Sequence, residues 1–197
     1  MTQSRLATSR QGGFTLIETM IAIAIMSVAI ITLVGAFGVA IAATQNSQEN
    51  LIARQKALEA MESIYTARNT QQITFPQIAN IASGGIFTDG PVQLLFAGPD
   101  GLVNTADDTN FPATGVCPTG PECLTLPGSD GILGTADDQP LSLNNFTRQI
   151  LISSVLEADG VTIDPNLKQI TVTVTYTTAG SSVPRNYSVN ALISAFR

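Results

Sequence analysis

The stretch GGFTLIETMIAIAIMSVAIITLVGAF, residues 12–37, most constrains how this chain can fold. It is a long apolar run beside the N-terminus, with one carboxylate, Glu18, near its start. A helix rises 1.5 Å per residue, so about 20 residues cross a hydrocarbon core of about 30 Å. Residues 14–43 are long enough for that, and thirty nearly uncharged positions do not read as the core helix of a soluble domain. The leader before them, MTQSRLATSRQGG, carries Arg5 and Arg10 and no acid, which places it on the cytoplasmic side. A secretory signal has its small-residue cleavage site after the apolar core. Here the small pair Gly12-Gly13 comes before it, so cutting after Gly13 leaves the apolar segment on the mature chain.

An acid inside such a segment is costly without a partner or a function. Glu18 either reaches the membrane interface and water, or meets a cation. Cleavage removes Arg5 and Arg10 and creates a free amine at Phe14, on the same chain or a neighbour, as the nearest positive charge.

Gly13-Phe14-Thr15-Leu16-Ile17-Glu18 followed by the apolar run resembles the signal of type IV prepilins and type II secretion pseudopilins. The resemblance covers residues 13–43. It implies cleavage between Gly13 and Phe14 by a prepilin peptidase, N-methylation of Phe14, and a role for Glu18 in assembly, pairing with the Phe14 amine of an adjacent subunit. Many pilins carry a proline in this run. This chain has Gly35 and Gly38 instead, which weaken a helix or permit close helix packing.

Beyond Ala43 the chain becomes polar without a breaker until Arg68. Leu51, Ala57, Leu58, Met61, Ile64 and Tyr65 recur at helical spacing. The pattern predicts one helix over residues 14–69: a membrane or filament-core half (14–43) and an amphipathic stalk (44–69) that lays this stripe on a globular domain (70–197). Residues 86–96 read as a strand or hairpin broken at Asp89-Gly90-Pro91, and strands are expected over 146–156, 168–178 and 185–195. In KQITVTVTYTT, Ile170, Val172, Val174 and Tyr176 share one face and the threonines the other. The fold class is therefore α+β: a long N-terminal helix on a small antiparallel sheet, as in pilins.

Residues 97–140 are rich in Gly, Pro and Asp and contain an internal repeat. AGPDGLVNTADDT (97–109) and PGSDGILGTADDQ (127–139) align at an offset of thirty. Asp100, Asp107 and Asp108 in one copy correspond to Asp130, Asp137 and Asp138 in the other. Clustered carboxylates on Gly-containing turns offer the oxygen ligands that calcium accepts, though not at EF-hand spacing. Solvated turns with Asp at capping positions are the alternative. The pattern also resembles the calcium loop of major pseudopilins, and that resemblance implies these six aspartates as calcium ligands; no other cofactor is expected. Between the copies, Cys117 and Cys123 flank a Pro/Gly loop and read as a disulfide in an oxidising compartment.

The chain has no histidine and a net charge of −6, and it shows no basic cluster. This excludes His-based catalysis and His-ligated zinc, and it argues against strong nonspecific nucleic-acid binding. No nucleophile–base pair or phosphate loop appears. A membrane-tethered periplasmic enzyme or ligand-binding protein is the remote alternative. The expected function is structural: a filament subunit of the bacterial inner membrane with its globular domain in the periplasm. A minor type IV pilin comes first and a minor secretion pseudopilin second. The expected partners are the prepilin peptidase, other pilin or pseudopilin subunits and the inner-membrane assembly machinery.

Overall fold

The computed structural model describes residues 13–178 and 182–196; the leader with Arg5 and Arg10 otherwise lies outside them. It divides into two compact units, Met1–Gln45 and Asn46–Arg197. A single helix, α1 (Leu16–Asn69), contributes to both. The expected helix start at Phe14 moves to Leu16 because Thr15 caps it.

In the first unit the helix is apolar and long enough to cross a membrane, and none of its apolar window is buried. Ile17, Met20, Ile21, Ile30, Leu33 and Phe37 are all more than half exposed. Its hydroxyls do not need water. Thr19, Ser27, Thr32 and Thr44 donate back to the carbonyls of Leu16, Ile23, Ala29 and Ala40 at 2.7–3.0 Å, which satisfies them within the helix. The helix runs unbroken through Gly35 and Gly38.

In the second unit the buried face of α1 is Ala53, Lys56, Ala57, Ala60, Met61, Ile64, Ala67 and Arg68. The expected stripe is thus only partly correct. Met61, Ile64 and Ala57 point inward, but Leu51 and Leu58 are 63% and 43% exposed. Apolar periodicity favoured the large leucines; the buried face is instead rich in alanines, Ala53, Ala57, Ala60 and Ala67. Tyr65 is half-buried and donates its hydroxyl to the Leu192 carbonyl at 2.7 Å. The helix ends with Gln71 at φ 65°. The Gln72 amide reaches the Ala67 carbonyl and the Gln71 amide that of Arg68, a left-handed C-terminal cap made without glycine.

The sheet has four antiparallel strands in the order β1-β4-β5-β6. They are β1 (Val92–Gln93), β4 (Phe146–Leu156), β5 (Ile163–Tyr176) and β6 (Arg185–Ser194). A separate two-stranded ribbon pairs β2 (Cys123–Leu126) with β3 (Gln139–Ser142). Ile150, Ile170, Val172, Val174 and Tyr176 are buried as the alternation predicts, and Phe146 stacks on Tyr176 at 5.3 Å.

Three expectations need correction. The strand or hairpin over 86–96 is broken at Asp89-Gly90-Pro91 as expected, but only Val92–Gln93 of it joins the sheet, following a 3₁₀ turn at Ile81–Ser83. There the buried Asn80 side chain does a strand's work, donating to the Ile150 carbonyl at 2.7 Å and accepting from the Ile152 amide at 2.8 Å. The 97–140 loop is not wholly irregular, since it contains β2 and the start of β3. Strand β5 begins at Ile163 rather than Lys168. Asp-Pro-Asn at 164–166 signals a turn, yet β4 pairing jumps from Lys168 to Asp164 between Ser154 and Val155. Pro165 sits in that bulge, where no ladder amide is required of it.

Candidate functional site: the helix N-terminus and the acidic loops

At the start of α1 the Glu18 amide donates to Thr15 Oγ1 at 3.3 Å. Thr15-Leu16-Ile17-Glu18 has the spacing of a capping box, with the threonine as N-cap and the glutamate at the third helical position. Sequence reasoning gave Glu18 a partner in assembly and overlooked this local role, although T-x-x-E ahead of an apolar run was the signal for it. Phe14 and Glu18 are both exposed. Among the described residues, the Glu18 carboxylate has no ion pair within the chain.

Cys117 and Cys123 form a disulfide, as the sequence suggested. Its neighbour Glu122 is buried and forms an ion pair with Lys56 of α1. Lys56 also donates to Glu59 at 2.8 Å. Neither Lys56 nor Glu122 was anticipated, because charged residues in an amphipathic pattern read as solvent-facing. Arg148 on β4 is likewise buried. Its Nε donates to Asn104 Oδ1 at 2.7 Å, and Asn104 Nδ2 donates back to the Arg148 carbonyl at 2.9 Å. Burial pushes the Arg148 guanidinium below its ordinary value, partly opposed by Glu122, Glu59 and Asp108.

The two acidic repeats fold alike. Asp100 Oδ1 accepts from the Leu102 amide, and Asp130 Oδ1 from the Ile132 amide, each at 2.8 Å. Asp107 Oδ2 accepts from the Asp100 amide at 3.4 Å, and Asp137 Oδ2 from the Asp130 amide at 3.2 Å. Asp108 Oδ2 accepts from the Asn104 amide, and Asp138 Oδ2 from the Gly134 amide, both at 2.7 Å. Thr105 and Thr135 each donate to the first aspartate of their Asp-Asp pair at 2.7 Å. The Asn/Gly mismatch at 104 and 134 also has a cause. Both residues adopt positive φ, 62° and 89°, a region that Asn and Gly tolerate best. A Cβ on Gly98 or Gly128 would overlap Asp107 or Asp137, so each loop folds tightly over its own carboxylate.

These hydrogen bonds set the ionisation. The Thr135 and Ser129 hydroxyls, with the Asp130 amide, hold Asp137 down to about 2. Asp107 is lowered chiefly by Thr105. Asp108 is raised by burial. The copies differ in placement. Leu102 and Val103 are 1% and 7% exposed, whereas their counterparts Ile132 and Leu133 are 60% and 61% exposed.

The all-oxygen donor set suits calcium in kind. However, most of these carboxylate oxygens already accept hydrogen bonds from their own loop. Among the described residues, no group of three or more acidic side chains draws together around one point. Asp138 Oδ1 is buried without a hydrogen-bond partner, where its counterpart Asp108 Oδ1 lies 3.1 Å from Thr105 Oγ1. The residues therefore fit calcium in the second copy better than in the first.

No curated protein and no solved structure matches the chain. Residues 8–34 match the prokaryotic N-terminal methylation motif. Joined to an apolar, unburied helix that begins at Leu16, the match identifies this chain as one that carries a type IV prepilin-like signal.

Proposed function

We propose that the chain is a structural subunit of a type IV pilus-like filament and not an enzyme. A prepilin peptidase removes residues 1–13 and N-methylates Phe14. The apolar half of α1 then holds the subunit in the inner membrane, with the leader side cytoplasmic and the globular domain periplasmic. Neighbouring subunits, which pack through this helix, draw it into the filament with the help of the inner-membrane assembly machinery. The observation that carries the reading is the methylation motif over residues 8–34 at the head of a helix whose apolar window has no cover within the chain. Minor pilin is the primary assignment. A minor secretion pseudopilin is the second reading; the acidic repeats link the chain to that system through their likeness to the calcium loop of its major subunits.

Glu18 is assigned to meet the Phe14 amine of an adjacent subunit, where a buried pair demands a defined register. Because Glu18 also sits in a capping box, an alanine substitution confounds two roles. Glu18→Gln retains a side chain suited to the box and removes the charge. The expected result is loss of filament incorporation with the helix intact; full incorporation of Glu18→Gln removes the pairing role. Mass spectrometry of the mature N-terminus tests the processing. An unprocessed product in cells with an active peptidase overturns the whole reading.

A further inference from the structure

The second acidic repeat is a closed loop at the end of the β2–β3 ribbon. It carries Ile132 and Leu133 in solvent beside Asp130 and Asp137. The first repeat shows the same loop with its apolar pair inserted into a core. The helix carries a surface of the opposite character. Leu51 and Leu58, seven residues apart, share one exposed side of α1 with Arg54 between them. Arg185 lies beside Leu51 at one end of this groove, and Glu62 lies at the other with Glu59, which is paired to Lys56.

The cations are distributed unevenly. Among the described residues, Lys56, Arg68 and Arg148 are buried, and Lys168 donates to the Phe75 and Ile78 carbonyls. The exposed cations, Arg54 and Arg185, both flank Leu51. One surface is thus apolar with an acidic rim and the other apolar with a basic end.

We propose that the 127–138 loop of one copy seats Ile132 and Leu133 against Leu51 and Leu58 of a second copy, with Asp130 and Asp137 at its Arg54 and Arg185 end. Glu62 disfavours the reversed orientation by repelling the same carboxylates. Made head to tail, this contact between two different patches propagates from copy to copy. Two side chains and a few rim charges make a weak contact alone. It rests on the filament-subunit reading, in which the membrane helices already hold neighbours at high effective concentration; the loop then sets which neighbour is engaged and how.

The test uses two full-length copies with different tags, one carrying Leu133→Cys and the other Leu51→Cys, expressed together and oxidised in membranes. The native cysteines are bonded to each other, so no free thiol competes. The expected product is a disulfide-linked species bearing both tags, and Arg54→Glu lowers its yield about fivefold, as reversing a rim charge should. If the tagged copies co-purify but link only to like copies, to another protein, or not at all, the docking is overturned and the filament reading stands. If they do not co-purify, the docking falls, and the filament reading falls with it only if neither copy is processed or recovered with another pilin-like subunit.

Discussion

Lys56 of α1 and Glu122 of the disulfide loop form an ion pair with side chains only 7% and 9% exposed. Removing one partner strands the other charge in a poorly hydrated place. Glu122→Ala should therefore destabilise the domain by about 3 kcal/mol, the low end for a broken buried pair, because Glu59 remains beside Lys56. The double substitution Lys56→Met with Glu122→Leu should recover most of that loss. Urea unfolding of the processed chain in detergent measures both.

The same pair gives an alkaline signature. Burial alone lowers the Lys56 pKa, but hydrogen bonds to Glu122 and Glu59 outweigh it and leave it above 10.5. A folded-state value above the unfolded one contributes stability that is complete below 10.5 and is lost as pH climbs through the folded value. Between 10.5 and the folded value the native chain should lose stability more steeply than the Lys56→Met, Glu122→Leu chain. Parallel slopes for the two would show that Lys56 is not responsible.

Cys117 and Cys123 are six residues apart. Closing so short a loop restricts the unfolded chain by about 2 kcal/mol. Replacing both cysteines with serine should lower the unfolding midpoint accordingly, and reductant should then have no further effect. Exposure of the Lys56–Glu122 contact should appear as faster amide exchange around Glu122, whose amide is bonded to the Leu94 carbonyl.

Gly98 and Gly128 occupy equivalent places over Asp107 and Asp137. Gly98→Ala opens a loop whose Leu102 and Val103 belong to the core, and should cost about 2 kcal/mol as overpacking does. Gly128→Ala opens a loop that lends nothing to that core, so global stability should change by less than about 0.5 kcal/mol. Equal effects would mean that the second copy is packed as the first is.

Calcium should act through the second copy. The expected outcome is a rise in unfolding midpoint with added calcium, reversed by chelator and removed by Asp138→Asn, because Asp138 Oδ1 is buried without a hydrogen-bond partner. No shift with calcium or chelator would leave both loops as metal-free turns.

Much of this architecture was legible in the sequence. Uninterrupted apolar character marked the first half of α1, and strict alternation from Ile170 to Tyr176 marked the buried sheet face. Periodicity weights large side chains, so it assigned Leu51 and Leu58 to a contact that alanines make. It also treats charge as exposed, which concealed Lys56, Arg148 and Glu122. Their partners lie 66 and 44 residues away in the chain (Lys56 to Glu122, Asn104 to Arg148) and no local pattern encodes them. The strand start at Ile163 was missed because Pro165 interrupts the alternation and a bulge absorbs it. At Glu18 the reverse occurred: the local capping signal was present, and the long-range role drew the attention.

The matching closure of the two acidic loops divides labour between duplicates. Residues 97–109 are tied into the interior and tolerate little change. Residues 127–139 keep the same internal bracing yet stand clear of it. Their outward side chains can therefore be exchanged, and a contact made by them altered, while the scaffold underneath keeps its shape.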